Sequence, residues 1–185
     1  PDNLSYRFAL ARAHIASGDN AGAERELNWL EQREEARLDA QKLRVLAAVK
    51  MGKLDQAQSL AQAALDANPN DPTVVSVLAS VRVAAGDRET ARSLFARALE
   101  LKPDYVDAAM DLARLEELDG RLPQAKTYYE AVLQIKSDSA PAMLALARLA
   151  EVQGDASLAT EWLEKTQQAA PKEVMPKVVL VEHHL

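Results

Sequence analysis

The sequence contains no cysteine, so the chain has no disulfide framework, no thiol nucleophile and no cysteine-ligated zinc site. No apolar run reaches the roughly 18 residues that cross a bilayer, and the first residues lack the basic-then-apolar pattern of a signal peptide. Any targeting segment is therefore expected outside this sequence. Acidic residues number 28 and basic residues 22, giving a net charge of -6, which argues against a nucleic-acid surface. We expect neither nucleic-acid binding nor direct membrane insertion.

The residue spacing that catalytic and metal sites require is also missing. His14, His183 and His184 do not place two metal ligands on one face of a helix. The glycines are isolated, so they cannot form a phosphate-binding loop. Glu116 and Glu117 are typical of an exposed helix face and not of a general acid and base pair. We therefore expect no enzymatic activity, no cofactor and no metal.

What the sequence does contain is a repeat. Five of its six glycines are spaced 34 residues apart, and an alanine follows each of them five residues later. Self-similarity at this period predicts stacked helical repeats in place of one closed core. The two series are Gly18, Gly52, Gly86, Gly120 and Gly154, and Ala23, Ala57, Ala91, Ala125 and Ala159.

The stretch from Gly86 to Pro103 shows the local plan most clearly. Gly86 can end one helix, Asp87 can begin the next, and Pro103 can stop it. Between these residues, small and large apolar residues recur at helical spacing. The pattern predicts a helix, a tight turn and a second helix in every repeat.

These motifs resemble the tetratricopeptide repeat family over nearly the whole chain. In that family the glycine is the fifteenth residue of a repeat, and Phe95 and Tyr129 hold the large-residue position of two second helices. The resemblance implies an all-α, right-handed α-α superhelix, or solenoid, of five 34-residue helix-turn-helix repeats plus a C-terminal helix. The implied segments are 1–3, the end of a preceding repeat; 4–37, 38–71, 72–105, 106–139 and 140–173, repeats one to five; and 174–185, either the first helix of a truncated sixth repeat or a capping helix.

Two regions depart from the regular pattern. In repeat two, Arg44 and Val45 stand where a leucine and a small residue are expected, which predicts a shifted register for its first helix. In repeat one, no proline follows the second helix, which we expect to run from Asn20 to Glu34. By contrast, Asp71 is a clear N-cap candidate with Pro72 at the first helical position.

The resemblance also implies where a protein partner, a peptide or a helix, would bind. First helices of the family line a concave groove, and repeat positions two, five, nine and twelve point into it. The candidate binding residues taken from these positions are Phe8, Arg12, Lys42, Ser76, Ser80, Met110, Arg114, Glu117, Leu144, Arg148 and Glu151.

The arginines of this set have two interpretations. In one, Arg114 with Glu117 and Arg148 with Glu151 form i,i+3 pairs on solvated helices, worth about 0.2–0.5 kcal/mol each. In the other, the arginines and their apolar neighbours bind a peptide with acidic and apolar side chains. That second set is Arg12, Arg114 and Arg148 with Phe8, Met110 and Leu144.

Several functions are compatible with the sequence. The first is a non-catalytic scaffold that binds a partner in the groove, and the second is a structural spacer with no ligand. An enzyme would need residues outside this sequence, and carbohydrate binding is disfavoured because Phe8 is the only aromatic at the groove positions. The segments 77–86 and 86–91 are similar to bacterial repeat lipoproteins of exopolysaccharide export and C-terminal sorting systems. That likeness implies a periplasmic protein, or one anchored to the outer membrane through segments outside this sequence; a cytoplasmic location is the alternative.

Overall fold

The computed structural model describes residues 3–170, and every regular element in that range is an α-helix. The expected all-α fold of paired helices is confirmed, whereas the helix predicted over 174–185 lies outside the described residues. The helices are α1 Leu4–Ser17, α2 Asn20–Glu31, α3 Glu34–Lys50, α4 Leu54–Ala67, α5 Pro72–Ala84, α6 Arg88–Leu101, α7 Val106–Leu118, α8 Leu122–Ile135, α9 Ala140–Val152 and α10 Ala156–Ala169.

The chain divides into two compact bodies between Leu101 and Lys102. The N-terminal body holds α1 to α6, where each helix packs against the next and the first helices α1, α3 and α5 also touch in sequence. The C-terminal body holds α7 to α10, again with each helix packed on the next. In both bodies the unit of construction is a pair of adjacent antiparallel helices joined by a short turn.

Each first helix ends at a glycine whose backbone lies in the left-handed region. The φ angles are 78°, 71°, 82°, 72° and 78° at Gly18, Gly52, Gly86, Gly120 and Gly154. Residues with a β-carbon are strained there, which explains why the turn recurs with glycine. After each glycine, the alanine five residues later is buried in the second helix.

The first helix of repeat two keeps the common register, so the predicted shift is wrong. Val45 is fully buried, as are its counterparts one repeat away on either side, Ala11 and Ala79. Arg44 takes the place of a core leucine, and its side chain, only 19% exposed, is bound by polar groups of α2. It donates to Glu31 Oε1 at 2.7 Å and to Asn28 Oδ1 at 2.7 Å.

The boundary between repeats one and two also differs from the prediction, because α2 ends at Glu31 and Glu34 already belongs to α3. Arg33 stabilises the break by donating from Nη1 to the backbone oxygen of Trp29 at 2.7 Å, with its guanidinium over the Trp29 ring. Glu34 and Glu35 form an acidic first turn of α3, where negative charge favours a helix N-terminus. The N-cap predicted at Asp71 is confirmed, since its carboxylate accepts from Thr73 N and Val74 N.

Replacing Phe95 with alanine should lower the free energy of unfolding by about 3–5 kcal/mol, the range for truncating a buried aromatic side chain. Phe95 is 1% exposed in α6. Urea and thermal denaturation followed by circular dichroism measure the change. Tyr6→Ala is the control, because it truncates an aromatic that is 61% exposed and should cost no more than about 0.5 kcal/mol. Equal midpoints for the wild type and Phe95→Ala would contradict the burial.

Candidate functional site

Glu117 lies at the centre of a charged cluster in the C-terminal body. Arg148 of α9 binds both carboxylate oxygens of this α7 residue, Nε to Oε1 and Nη2 to Oε2, each at 2.8 Å. The hydroxyl of Tyr129, on α8, donates to Glu117 Oε2 at 3.0 Å. One side chain therefore joins three helices through a bidentate ion pair and a hydrogen bond from a neutral hydroxyl to the carboxylate.

These contacts fix the charges of the cluster. The hydrogen bonds from Arg148, and secondarily from Tyr129, hold the pKa of Glu117 below its ordinary value. Burial, reinforced by the adjacent carboxylate, raises the pKa of the Tyr129 hydroxyl. Glu117 is therefore a carboxylate and Tyr129 a neutral donor near neutral pH.

The neighbouring Glu116 is buried, so the exposed helix face expected for this carboxylate pair is wrong at that residue. Only 3% of Glu116 is exposed, and its Oε2 lies 3.7 Å from Nη1 of Arg121, the residue that begins α8 as its N-cap. A carboxylate held in this way joins α7 to the start of α8. Its burial and its cationic partner give it a structural role in the helix pair.

The predicted pairing of Arg148 with Glu151 is wrong, and Arg114 acts on Glu117 only through its charge, which helps to lower the pKa of that carboxyl, without an ion-pair contact. Arg148 reaches across to Glu117 on the neighbouring first helix, and Arg114 pairs with Asp111 on its own helix at 3.0 Å. Spacing along one helix identifies its i,i+3 neighbours but not the residues of the next helix. Both arginines therefore already hold a carboxylate, which weakens their attraction for an acidic peptide.

The first-helix residues of the N-terminal body have a different character. Lys42 on α3 already has two partners within the protein, since its ammonium pairs with Asp39 at 2.5 Å and donates to Thr73 Oγ1 at 3.0 Å. Arg12 on α1 is exposed, and no carboxylate in residues 3–170 pairs with it. Phe8 is half-buried against the core cluster that contains Ala11. Arg12 is therefore a guanidinium available to a ligand next to an apolar neighbour.

Other predicted residues offer a partner less surface. Ser76 and Met110 are buried, and Ser80 is half-buried with its hydroxyl donating to the backbone oxygen of Ser76 at 3.1 Å. Leu144 is half-buried against the cluster of Ala147 and Leu163. Glu151 is exposed. A binding role for the eleven candidate residues stays a prediction.

Three apolar side chains near the predicted groove are exposed; Leu46 holds a predicted groove position itself, whereas Leu118 and Val152 were missed as candidates. Leu46, at position nine of repeat two, is 46% exposed on α3. Leu118 and Val152, which directly follow Glu117 and Glu151, are 63% and 66% exposed in the C-terminal body. Periodicity assigns such residues to the core by default, so only their position next to a predicted groove residue could have identified them.

Helix pairs closed by left-handed glycines define an all-α helical repeat protein. Two models of the tetratricopeptide repeat match the sequence, one over residues 8–72, 42–81 and 76–141 and the other over residues 118–175. The chain belongs to the tetratricopeptide repeat family. Proteins of this fold generally serve as non-catalytic interaction scaffolds.

Solved structures of repeat proteins share the fold at low sequence identity. TTC0263, a thermophilic tetratricopeptide repeat protein of Thermus thermophilus, is 19% identical with a TM-score of 0.78, and the alignment covers 98% of each chain. Yeast Tom70 is 16% identical with a TM-score of 0.81 over 98% of this chain and 38% of Tom70. PilW, a type IV pilus biogenesis factor, is 17% identical with a TM-score of 0.74 over 97% and 83%. A search of curated protein sequences gives no significant match.

The replacement Glu117→Gln should destabilise the C-terminal body in a pH-dependent way. Near neutral pH the loss should be about 1 kcal/mol, because the Arg148 side chain is 54% exposed and water screens the pair. The folded pKa of Glu117 is lowered, so its contribution is complete above the unfolded value of about 4.3 and is lost as pH falls through the folded one. Denaturation midpoints of the wild type and of Glu117→Gln, measured between pH 7 and pH 3, test this. The gap between the two midpoints should narrow as the pH falls.

Glu164→Gln is the matched control, because Glu164 is exposed on α10 of the same body. It should leave the midpoint unchanged at pH 7. A difference between wild type and Glu117→Gln that stays constant down to pH 3 would show that the charge of Glu117 is not what stabilises the cluster.

Proposed function

We propose that this chain is a non-catalytic scaffold that binds a peptide or helix of a partner protein along its first helices. Membership of the tetratricopeptide repeat family supports an interaction role. The best candidate surface is the N-terminal first-helix face, formed by Phe8, Arg12, Ile15, Lys42, Leu46, Val49, Ser80 and Val83.

The observation that supports this surface most directly is an exposed arginine beside exposed apolar area. Arg12 and Leu46 hold the same repeat position on α1 and α3, two helices that contact each other. Leu46 is 46% exposed, and Ile15 and Val49 are half-buried. A guanidinium next to accessible apolar side chains suits a ligand that carries both a carboxylate and an apolar anchor.

The C-terminal body is the weaker candidate for an acidic ligand. Its arginines, Arg114 and Arg148, already pair with Asp111 and Glu117. Exposed carboxylates accompany them, including Asp107 and Glu151. Like charge on the ligand would meet like charge on these helices, which costs binding energy. The exposed Leu118 and Val152 leave this face open to a neutral or basic partner.

The proposal also covers the cellular role and the location of the protein. PilW, similar in fold, is a type IV pilus biogenesis factor, which supports an assembly role in a bacterial envelope. The similarity of 77–91 to exopolysaccharide-associated lipoproteins leads us to propose a periplasmic or outer-membrane-anchored location. No helix within residues 3–170 is long and apolar enough to cross a membrane. The N-terminal sequence of the full-length protein tests this location, because a signal peptide ending in a lipidated cysteine would establish it.

A peptide library displayed on phage and selected against the immobilised chain tests the binding surface. Enriched peptides should combine Asp or Glu with Leu or Phe. Arg12→Glu should weaken their binding at least tenfold in fluorescence polarisation, about 1.4 kcal/mol, because it places a carboxylate where the ligand carboxylate would bind. Arg25→Glu is the matched control, since it reverses an exposed arginine on the second helix of the same repeat.

Other results would reject the proposal in distinguishable ways. If Arg114→Glu weakens binding and Arg12→Glu does not, the ligand uses the C-terminal body. If no peptide is enriched although circular dichroism shows the fold intact, the spacer function is favoured over the scaffold function.

A further inference from the structure

An open pocket lies between repeats one and two, within the N-terminal body. Its empty volume is about 430 Å³, which includes the solvent at its mouth. Ala23 and Leu27 of α2 line it together with Ala47 and Ala48 of α3. Each of these four residues is at most 5% exposed. The inner lining of the pocket is therefore apolar.

The pocket lies where another repeat holds a leucine side chain. In repeat three, Leu78 is 3% exposed. It packs in one cluster with Val81 of its own helix and with Ala57 and Ala61 of α4. The counterparts of these four residues one repeat earlier all line the pocket; they are Arg44, Ala47, Ala23 and Leu27.

Two replacements leave this space open in repeat two. The guanidinium of Arg44 is held by α2, where it donates to Glu31 Oε1 and Asn28 Oδ1, each at 2.7 Å. Ala47 has a shorter side chain than Val81, the residue at its position in repeat three. The aliphatic groups that fill the space in repeat three are therefore absent, although the lining is still apolar.

A large residue on the preceding second helix does not by itself remove the space for a leucine. Leu27 is larger than the alanine at its position in α4, but Tyr129 at the same position of α8 is larger still. On α9, which packs on α8, Leu146 and Leu149 are nevertheless only 2% exposed. A leucine is thus compatible with a bulky neighbour at this site.

The mouth of the pocket carries one charge of each sign. Met51 is 39% exposed there, and its thioether can adapt to different ligand side chains. Glu24 of α2 and Lys53, which precedes α4, also line the pocket and are exposed. Neither has an ionic partner within residues 3–170. A ligand with one basic and one acidic group beside an apolar side chain would therefore pair with both.

We propose that this pocket binds a leucine side chain of a partner protein, in a segment that carries an acidic residue for Lys53 and a basic residue for Glu24. Binding removes apolar area of the leucine and of the pocket from water, and the two charges select the segment. The pocket shares Ile15 with the N-terminal first-helix face but includes neither Arg12 nor Leu46. The proposal therefore does not depend on the function proposed for that face.

Methyl NMR of the methionines, with N-acetyl-leucine amide as the probe, tests the pocket. The Met51 resonance should shift saturably, whereas that of Met143, buried in the C-terminal body, should not. N-acetyl-alanine amide should bind at least tenfold more weakly, because it lacks most of the apolar side chain. The absence of a saturable Met51 shift would overturn the proposal. Tighter binding of free leucine than of the blocked amide would assign the pocket to a free amino acid and reject a protein segment.

Ala47→Leu should close the pocket from within, because it supplies the side chain that Leu149 has at the same repeat position. It should weaken binding of the probe at least tenfold without lowering the thermal midpoint. If leucine does lower the midpoint, Ala47→Val, with the smaller side chain of Val81, provides the same test. Ala63→Leu is the matched control, since it enlarges an exposed alanine of α4 outside the pocket. Unchanged affinity in a folded Ala47 variant would overturn the assignment.

A phage library of peptides with a central leucine tests the partner chemistry. Selection on the wild type, with depletion on Ala47→Leu, should enrich peptides with Asp or Glu on one side of the leucine and Lys or Arg on the other. Lys53→Glu should weaken these peptides several-fold, whereas Arg12→Glu should leave their affinity unchanged. Enriched peptides without this charge pattern would overturn the role of Glu24 and Lys53. If every selected peptide depends on Arg12 and none on Ala47, the ligand belongs to the first-helix face and the pocket proposal is wrong.

Discussion

The left-handed glycine that ends each first helix is the constraint on which the other packing depends. A β-carbon at any of these five positions would meet no atom within 4 Å, so the requirement comes from a positive φ and not from lack of space. Adopting that conformation costs a residue with a β-carbon roughly 1 kcal/mol or more. The turn reverses the chain in the same way in every repeat. Residues at a given position of the second helix therefore pack against the same positions of the first helix each time. Gly22 shows the opposite case, since a β-carbon there would collide with His14 and Asp19.

The sequence was sufficient to predict what the turn controls. The turn glycines, the buried alanines after them and the buried rings of Phe95 and Tyr129 all follow from a single period, because each is a property of one repeat. The end of α2 could not be predicted in the same way. It depends on Arg33 binding the backbone oxygen of Trp29, a contact that no period specifies. Val45 is buried at a position where a small residue is expected. The position therefore requires an apolar residue that packs in the core, and it accepts one larger than alanine where the helix packed against it is rich in alanine.

Ionic partners were the least predictable part of the candidate site. Arg148 has a carboxylate three residues away in Glu151, yet it pairs with Glu117 on another helix. Glu117 is a better partner for Arg148 than Glu151 is, because the buried Tyr129 positions its carboxylate and both of its oxygens accept from the guanidinium. The geometry of a neighbouring helix therefore outweighs proximity in sequence. One consequence is that the number of arginines on a face overestimates its attraction for acidic ligands, and the pairing of each must be known first.

Helix α1 shows how ion pairing decides which charges of a repeat surface stay available to a ligand. Its Arg12 has no carboxylate partner among residues 3–170, whereas Arg114 and Arg148 already pair with Asp111 and Glu117. Phe8, on the same helix as Arg12, is half-buried against the core cluster that contains Ala11. An acidic and apolar ligand at the N-terminal first-helix face would therefore pair with a guanidinium without first breaking an ion pair of the protein, whereas the same ligand on the C-terminal body would have to compete with Asp111 and Glu117.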